Sequence, residues 1–169
     1  MKQFSNGAMG RCKKGFTLIE LMIAATLIMM VFGSIFALVN YGIYALSYIR
    51  NNLTASFLAQ EGVELVIKKR TENWLKGQRF NYQLTNGSYQ VDYLGSFTRA
   101  SGEPLKFNFV RGYQYSSGES SNFTRTITLQ RIDSTHLRVL SEVVWRTKDN
   151  QFSVLVEDHL YDWFGVPAE

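Results

Sequence analysis

Cysteine is almost missing from this 169-residue chain, which has only Cys12, so no intramolecular disulfide can staple the fold. Proline is nearly as scarce: Pro104 and Pro167 are the only two, and nothing before Pro104 breaks a helix by removing an N–H. No Asp or Glu precedes Phe16, whereas Lys2, Arg11, Lys13 and Lys14 all do. With those four set aside, 14 basic residues face 14 acidic ones. The net charge of +4 therefore describes a leader, not a nucleic-acid-binding surface. A glycine-rich phosphate loop of the G-x-x-x-x-G-K type is absent, which argues against ATP hydrolysis. So is any internal repeat, and the length suits one domain with an accessory segment. Cys12 reads as incidental, because Met9, Gly10 and Arg11 stand where lipid attachment needs an apolar, small-residue box.

What is present begins at Phe16. From there the chain is apolar and, apart from Glu20, carries no charge until Arg50. About 20 apolar residues cross bilayer hydrocarbon as a helix, so Leu21 to Ala45 predicts a single span. Lysines before the run and none just after it place the N-terminus in the cytoplasm and everything beyond about Tyr48 outside. A cleaved secretory signal has an apolar region of about 7–15 residues and a small-x-small site. This run is longer and offers only Ile43-Tyr44-Ala45.

The stretch Lys13-Lys14-Gly15-Phe16-Thr17-Leu18-Ile19-Glu20, followed by the long apolar segment, resembles the N-terminus of a type IV prepilin or pseudopilin. The resemblance implies cleavage by a membrane aspartic peptidase between Gly15 and Phe16, N-methylation of Phe16, and an assembly role for Glu20. It also implies the partners of such a subunit: other pilins, the prepilin peptidase/methylase, a cytoplasmic assembly ATPase and a platform membrane protein, with membrane lipid as the environment before assembly. The region resembling the family most closely covers about a fifth of the chain. The proline that many major pilins carry in the membrane half is absent, with Ala37 near its place.

The residues give Glu20 a rationale of their own. A carboxylate at the centre of a spanning helix costs about 2.5–3.5 kcal/mol on insertion scales, and less near an interface, so its retention points to a partner. The nearest cation is the amine freed at Phe16, which exists only after cleavage. Pairing Glu20 of one subunit with that amine on another neutralises both and fixes their axial offset. The competing explanation keeps Glu20 local, favoured in the first helical turn by the dipole or paired with its own amine.

Helical periodicity continues past the span. Ala55, Leu58, Ala59, Gly62, Val63, Val66, Ile67 and Trp74 fall on one face, with Gln60, Glu61, Glu64, Lys68 and Glu72 opposite. Glu64 and Lys68 form a favourable i, i+4 pair. This predicts one helix of roughly 60 residues and 90 Å, with Gly33 and Gly42 as points where it can bend. From Gly77 alternation takes over, and strands are predicted at 88–93, 105–115, 124–131, 137–146 and 151–160. Thr147-Lys148-Asp149-Asn150 reads as a hairpin turn and 116–122 as a flexible loop. The expected fold is α+β, a long N-terminal helix packed on a C-terminal antiparallel sheet. Its parts are a removed leader (1–15), a membrane or filament-core half (16–49), an amphipathic half (50–76) and an extracytoplasmic sheet domain (77–169).

Other readings of the outer domain carry less. His136 lies near Asp133 and Ser134, and His159 near Asp158 and Asp162, but neither set has a ligand or nucleophile spacing. No catalysis, metal or cofactor is expected, and His136 is placed in a turn. Aromatics such as Tyr93, Phe107, Phe109 and Trp145 can stack on single-stranded DNA or glycan, with Arg99, Lys106, Arg111 and Arg125 as weak candidate DNA contacts. Their alternation fits core packing better. Sequons at Asn52, Asn86 and Asn122 are short enough to arise by chance.

The segments Phe123 to Ile127, Val143 to Trp145 and Leu160 to Trp163 resemble the sheet of minor pilins, and the C-terminal cysteine pair of many major pilins is missing. The expected function is thus a structural, non-enzymatic minor pilin or pseudopilin. The alternatives are a subunit of a type II secretion or DNA-uptake system, and a membrane-anchored adhesin or binding module that never polymerises.

Overall fold

The computed structural model describes residues 15–147 and 150–163. Cys12, Lys13 and Lys14, and the turn residues Lys148 and Asp149, lie outside the described residues. The chain divides into two compact units, Met1–Ala45 and Leu46–Glu169.

Helix α1 (Leu18–Leu75) is continuous over 58 residues, and neither Gly33 nor Gly42 interrupts it. In the first unit three of its polar side chains bond to its own carbonyls. Thr26 Oγ1 donates to Ile23 O, Ser34 Oγ to Val31 O and Asn40 Nδ2 to Phe36 O, each at 2.8 Å, which satisfies them without water. The large apolar side chains from Leu18 to Ile43 are 50–78% exposed, and among the described residues of this unit none is buried. The helix is long and apolar enough to cross a membrane.

In the second unit, α1 ends in a Schellman arrangement. Gly77 N–H donates to Trp74 O at 2.9 Å and Gln78 N–H to Asn73 O at 2.9 Å. Eight strands follow: β1 (Gly87–Val91), β2 (Phe97–Arg99), β3 (Lys106–Asn108), β4 (Gly112–Gln114), β5 (Glu119–Ser120), β6 (Phe123–Arg131), β7 (His136–Thr147) and β8 (Asn150–Tyr161). They form a five-stranded antiparallel sheet in the order β2-β1-β6-β7-β8 and a small sheet in the order β4-β3-β5. β7 and β8 pair without a bulge from His136↔Tyr161 to Thr147↔Asn150.

Burial alternates along β6 and β7, and the inward row packs on the amphipathic half of α1. Ala55, Leu58 and Ala59 meet Leu105, Phe123, Val143 and Trp145, while Val63, Leu65 and Val66 meet Ile127, Leu129, Leu137, Val139 and Leu160. Gly62 permits the close approach: a Cβ there would run into Ser141 Oγ and stand 3.2 Å from Arg125 Cδ and 3.3 Å from Ile127 Cδ1.

Three expectations need correction. The strand expected over 105–115 is instead a hairpin, β3 and β4, because Asn108 Oδ1 accepts the Val110 N–H at 2.9 Å and Gly112 turns to φ +74°. The loop 116–122 contributes β5, which pairs with β3. β2 was not expected; it is a three-residue edge strand on β1, too short to show alternation.

Candidate functional site

The bond between Gly15 and Phe16 lies ahead of α1, and Gly15, Phe16 and Thr17 belong to no regular element. All three are exposed, and nothing stands within 4 Å of where a Gly15 Cβ would be. A peptidase needs an extended, reachable bond, and this one has no helical hydrogen bonding to undo.

Thr17 starts the helix. Its carbonyl accepts the Leu21 N–H at 3.2 Å and its hydroxyl accepts the Glu20 N–H at 3.3 Å. This is N-cap chemistry, and Thr17-x-x-Glu20 has the spacing of a capping box. Thr17 was missing from the expected site residues, although that spacing signals it. Glu20 lies in the first turn, exposed, where the helix dipole favours a carboxylate. An ammonium at Phe16 would sit at the same positive helix end, which disfavours it unless a carboxylate is near.

The histidines fall differently from their sequence neighbourhoods. His136 is not in a turn but opens β7, and its Nε2 lies 2.6 Å from His159 Nδ1 across the β7–β8 pair. His159 Nε2 is 3.0 Å from Glu157 Oε1, and Tyr161 stacks on His136 with ring centroids 4.4 Å apart. Arg138 holds Glu157 through two bonds of 2.6 and 2.9 Å and lowers its carboxyl to about 2. Asp133 is occupied locally by Thr135, whose N–H and hydroxyl donate at 2.7 and 2.9 Å. Among the described residues no three His, Cys, Asp or Glu side chains are placed to share a metal ion.

The four candidate DNA contacts are not one surface. Arg125 is buried with 1% exposure, its guanidinium bonded to Leu58 O at 3.1 Å and Val91 O at 2.9 Å and paired with Glu61 at 3.1 Å, so it is unavailable to a phosphate. Glu61, expected on the solvent face, reaches inward for it. Arg111 donates to Tyr93 OH at 2.8 Å. Arg99 and Lys106 stand in different sheets, on β2 and β3. Of the candidate stacking rings, Trp145 is buried and Phe109 is exposed.

Residues 10–36 match the prokaryotic N-terminal methylation motif, the leader signature of type IV prepilins. The matched span includes Gly15, Phe16, Thr17 and Glu20, and the helix-then-sheet architecture agrees with a pilin-like α+β fold. No curated protein and no solved structure matches the chain.

Proposed function

We propose that this chain is a structural filament subunit of the minor pilin or pseudopilin kind. It is held in the membrane by its apolar half, cut after Gly15, methylated at Phe16 and assembled through its helix. The observation that carries this reading is the joining of two features: a methylation motif over 10–36 and a helix whose large apolar side chains from Leu18 to Val39 are all at least half exposed. Such a surface needs lipid first and neighbouring helices afterwards.

In the filament, Glu20 of one subunit pairs with the Phe16 amine of the next. Thr17 already serves the helix end through its hydroxyl, which leaves the exposed Glu20 carboxylate for that pairing. The subunit has no catalytic role, and an ATPase, a platform protein and other pilins supply the machinery. A minor rather than principal subunit is favoured because the one cysteine, Cys12, precedes the cut.

Mass spectrometry of sheared surface filaments tests the reading. A subunit appears there beginning at methylated Phe16, and Glu20→Ala lowers its incorporation. A retained leader on a purely membrane-bound pool would overturn it in favour of an anchored binding module.

A further inference from the structure

We infer that His136 and His159 form a two-nitrogen chelating site for a divalent late-transition ion of the zinc or copper kind, across the open end of the β7–β8 hairpin. The inference is independent of the filament reading, and every group in it lies in the second unit.

The chain has only two histidines, and the fold brings them together from 23 positions apart. In the β7–β8 register His136 faces Tyr161 and Arg138 faces His159, so the two histidines are diagonal neighbours. Alternation puts both on the face opposite the buried row, with Arg138, Glu157 and Tyr161 beside them. Diagonal neighbours on one face are within reach of ring side chains. Here the ring nitrogens converge, with His136 Nε2 2.6 Å from His159 Nδ1.

Each ring is aimed by a group of its own. Arg138 binds both oxygens of Glu157, at 2.6 and 2.9 Å, and Glu157 Oε1 is 3.0 Å from His159 Nε2. An ionised carboxylate only accepts, so a neutral His159 ring carries its N–H on Nε2 and turns the Nδ1 lone pair toward His136. A carboxylate on the far N–H is the orienting partner that metal-ligating histidines ordinarily have. His136 is held from its face by Tyr161, stacked at 4.4 Å between centroids and 16° between planes. With its proton on Nε2, His136 donates to His159; with its proton on Nδ1, it offers a second lone pair at the same point.

Nitrogens about 2.0–2.1 Å from a tetrahedral ion stand roughly 3.3 Å apart, so the pair must open by roughly 0.7 Å to admit one. The broad second torsion of histidine allows that movement. Two imidazoles suit zinc, copper or nickel, whereas calcium and magnesium take oxygen ligands. Water completes the coordination, because among the described residues no third His, Cys, Asp or Glu side chain joins the pair. Since His136 begins β7 and His159 lies near the end of β8, the ion would staple the hairpin at the end away from its turn.

The full chain with Cys12→Ser, without a polyhistidine tag and in detergent, is titrated calorimetrically with zinc ion alone. One ion should bind per chain. Glu157→Gln should weaken binding about 10–100-fold, and His136→Gln and His159→Gln should each weaken it further. Zinc should raise the melting temperature of the parent and leave both histidine variants unmoved, in a measurement that also shows whether they fold. With cupric ion as the probe, electron paramagnetic resonance should count two ligand nitrogens in the parent and one in each histidine variant. Absence of saturable binding would overturn the inference. So would zinc binding that survives both histidine changes, which would assign the ion to carboxylates elsewhere.

Discussion

Replacing Arg125 separates two accounts of what holds α1 on the sheet. If the tie is an ion pair, its partner is Glu61; if it is a geometric clamp, the partners are the Leu58 and Val91 carbonyls, 67 and 34 residues away in sequence. Glu61 is 39% exposed in its side chain, so solvent screens the pair and Glu61→Gln should cost less than about 1 kcal/mol. Arg125→Met keeps most of the volume and removes a buried charge, which is favourable in itself. It also strips Val91 O of its guanidinium bond, at about 1–3 kcal/mol for an unsatisfied buried group. The net expectation is a loss of about 2 kcal/mol. Arg125→Ala adds a cavity of the kind that costs about 2–5 kcal/mol in long-to-Ala changes, for a total near 4 kcal/mol. At about 2–4 °C per kcal/mol for a chain of this size, the Met variant melts about 4–8 °C low and the Ala variant about 8–16 °C low. Near-UV circular dichroism of the full chain in detergent reads the transition through buried Trp145. A Glu61→Gln loss as large as that of Arg125→Met would refute the clamp, and so would an Arg125→Ala variant melting within about 2 °C of the parent.

Two other predictions concern the second unit. Asn73 is buried and donates through Nδ2 to Phe80 O at 3.1 Å and Tyr82 O at 2.8 Å; Asn73→Ala should cost about 2–3 kcal/mol and increase tryptic cleavage after exposed Arg79 on the segment that it pins. For Glu157, Arg138 holds the folded carboxyl at about 2, below its ordinary 4.5. A lowered carboxyl stabilises the fold fully above the ordinary value, and the contribution disappears as pH falls through the folded one. The β7–β8 bridge should therefore persist between about 4.5 and about 2, and carbon-detected NMR titration should find Arg138→Gln moving the Glu157 midpoint back up.

Legibility in the sequence followed the strength of the periodic signal. The α1 stripe was readable because Ala55, Leu58, Ala59, Gly62, Val63 and Val66 repeat over several turns with charges between them. β6, β7 and β8 alternate over nine to twelve residues, long enough for period two to stand out. The small sheet was not readable, because two- and three-residue strands have no period to detect and are fixed by turn chemistry at Asn108 and Gly112. Arg125 was misread for a different reason. A cation on an alternating strand looks solvent-facing until the partner surface is known, and the carbonyls that receive it lie far away in sequence. The histidine pair escaped because its members are brought together only by the β7–β8 register.

At the N-terminus the local and the assembly explanations of Glu20 are compatible, because they use different atoms. The first-turn N–H of Glu20 is taken by the Thr17 hydroxyl, so the helix start does not depend on the Glu20 carboxylate for that bond. The dipole still favours a negative group there and would disfavour the ammonium that the proposed cleavage creates at Phe16. Cutting after Gly15 would thus place an unwelcome positive charge beside a tolerated negative one, at the end of a helix whose apolar flank is uncovered. Moving the amine next to a neighbour's Glu20 relieves that charge and covers the flank in the same step. Thr17→Val should therefore weaken the helix start while sparing incorporation, whereas Glu20→Ala should spare the helix and lose incorporation. If Thr17→Val abolished incorporation as fully as Glu20→Ala, the two functions would not be separable and the division of labour between Thr17 and Glu20 would be refuted.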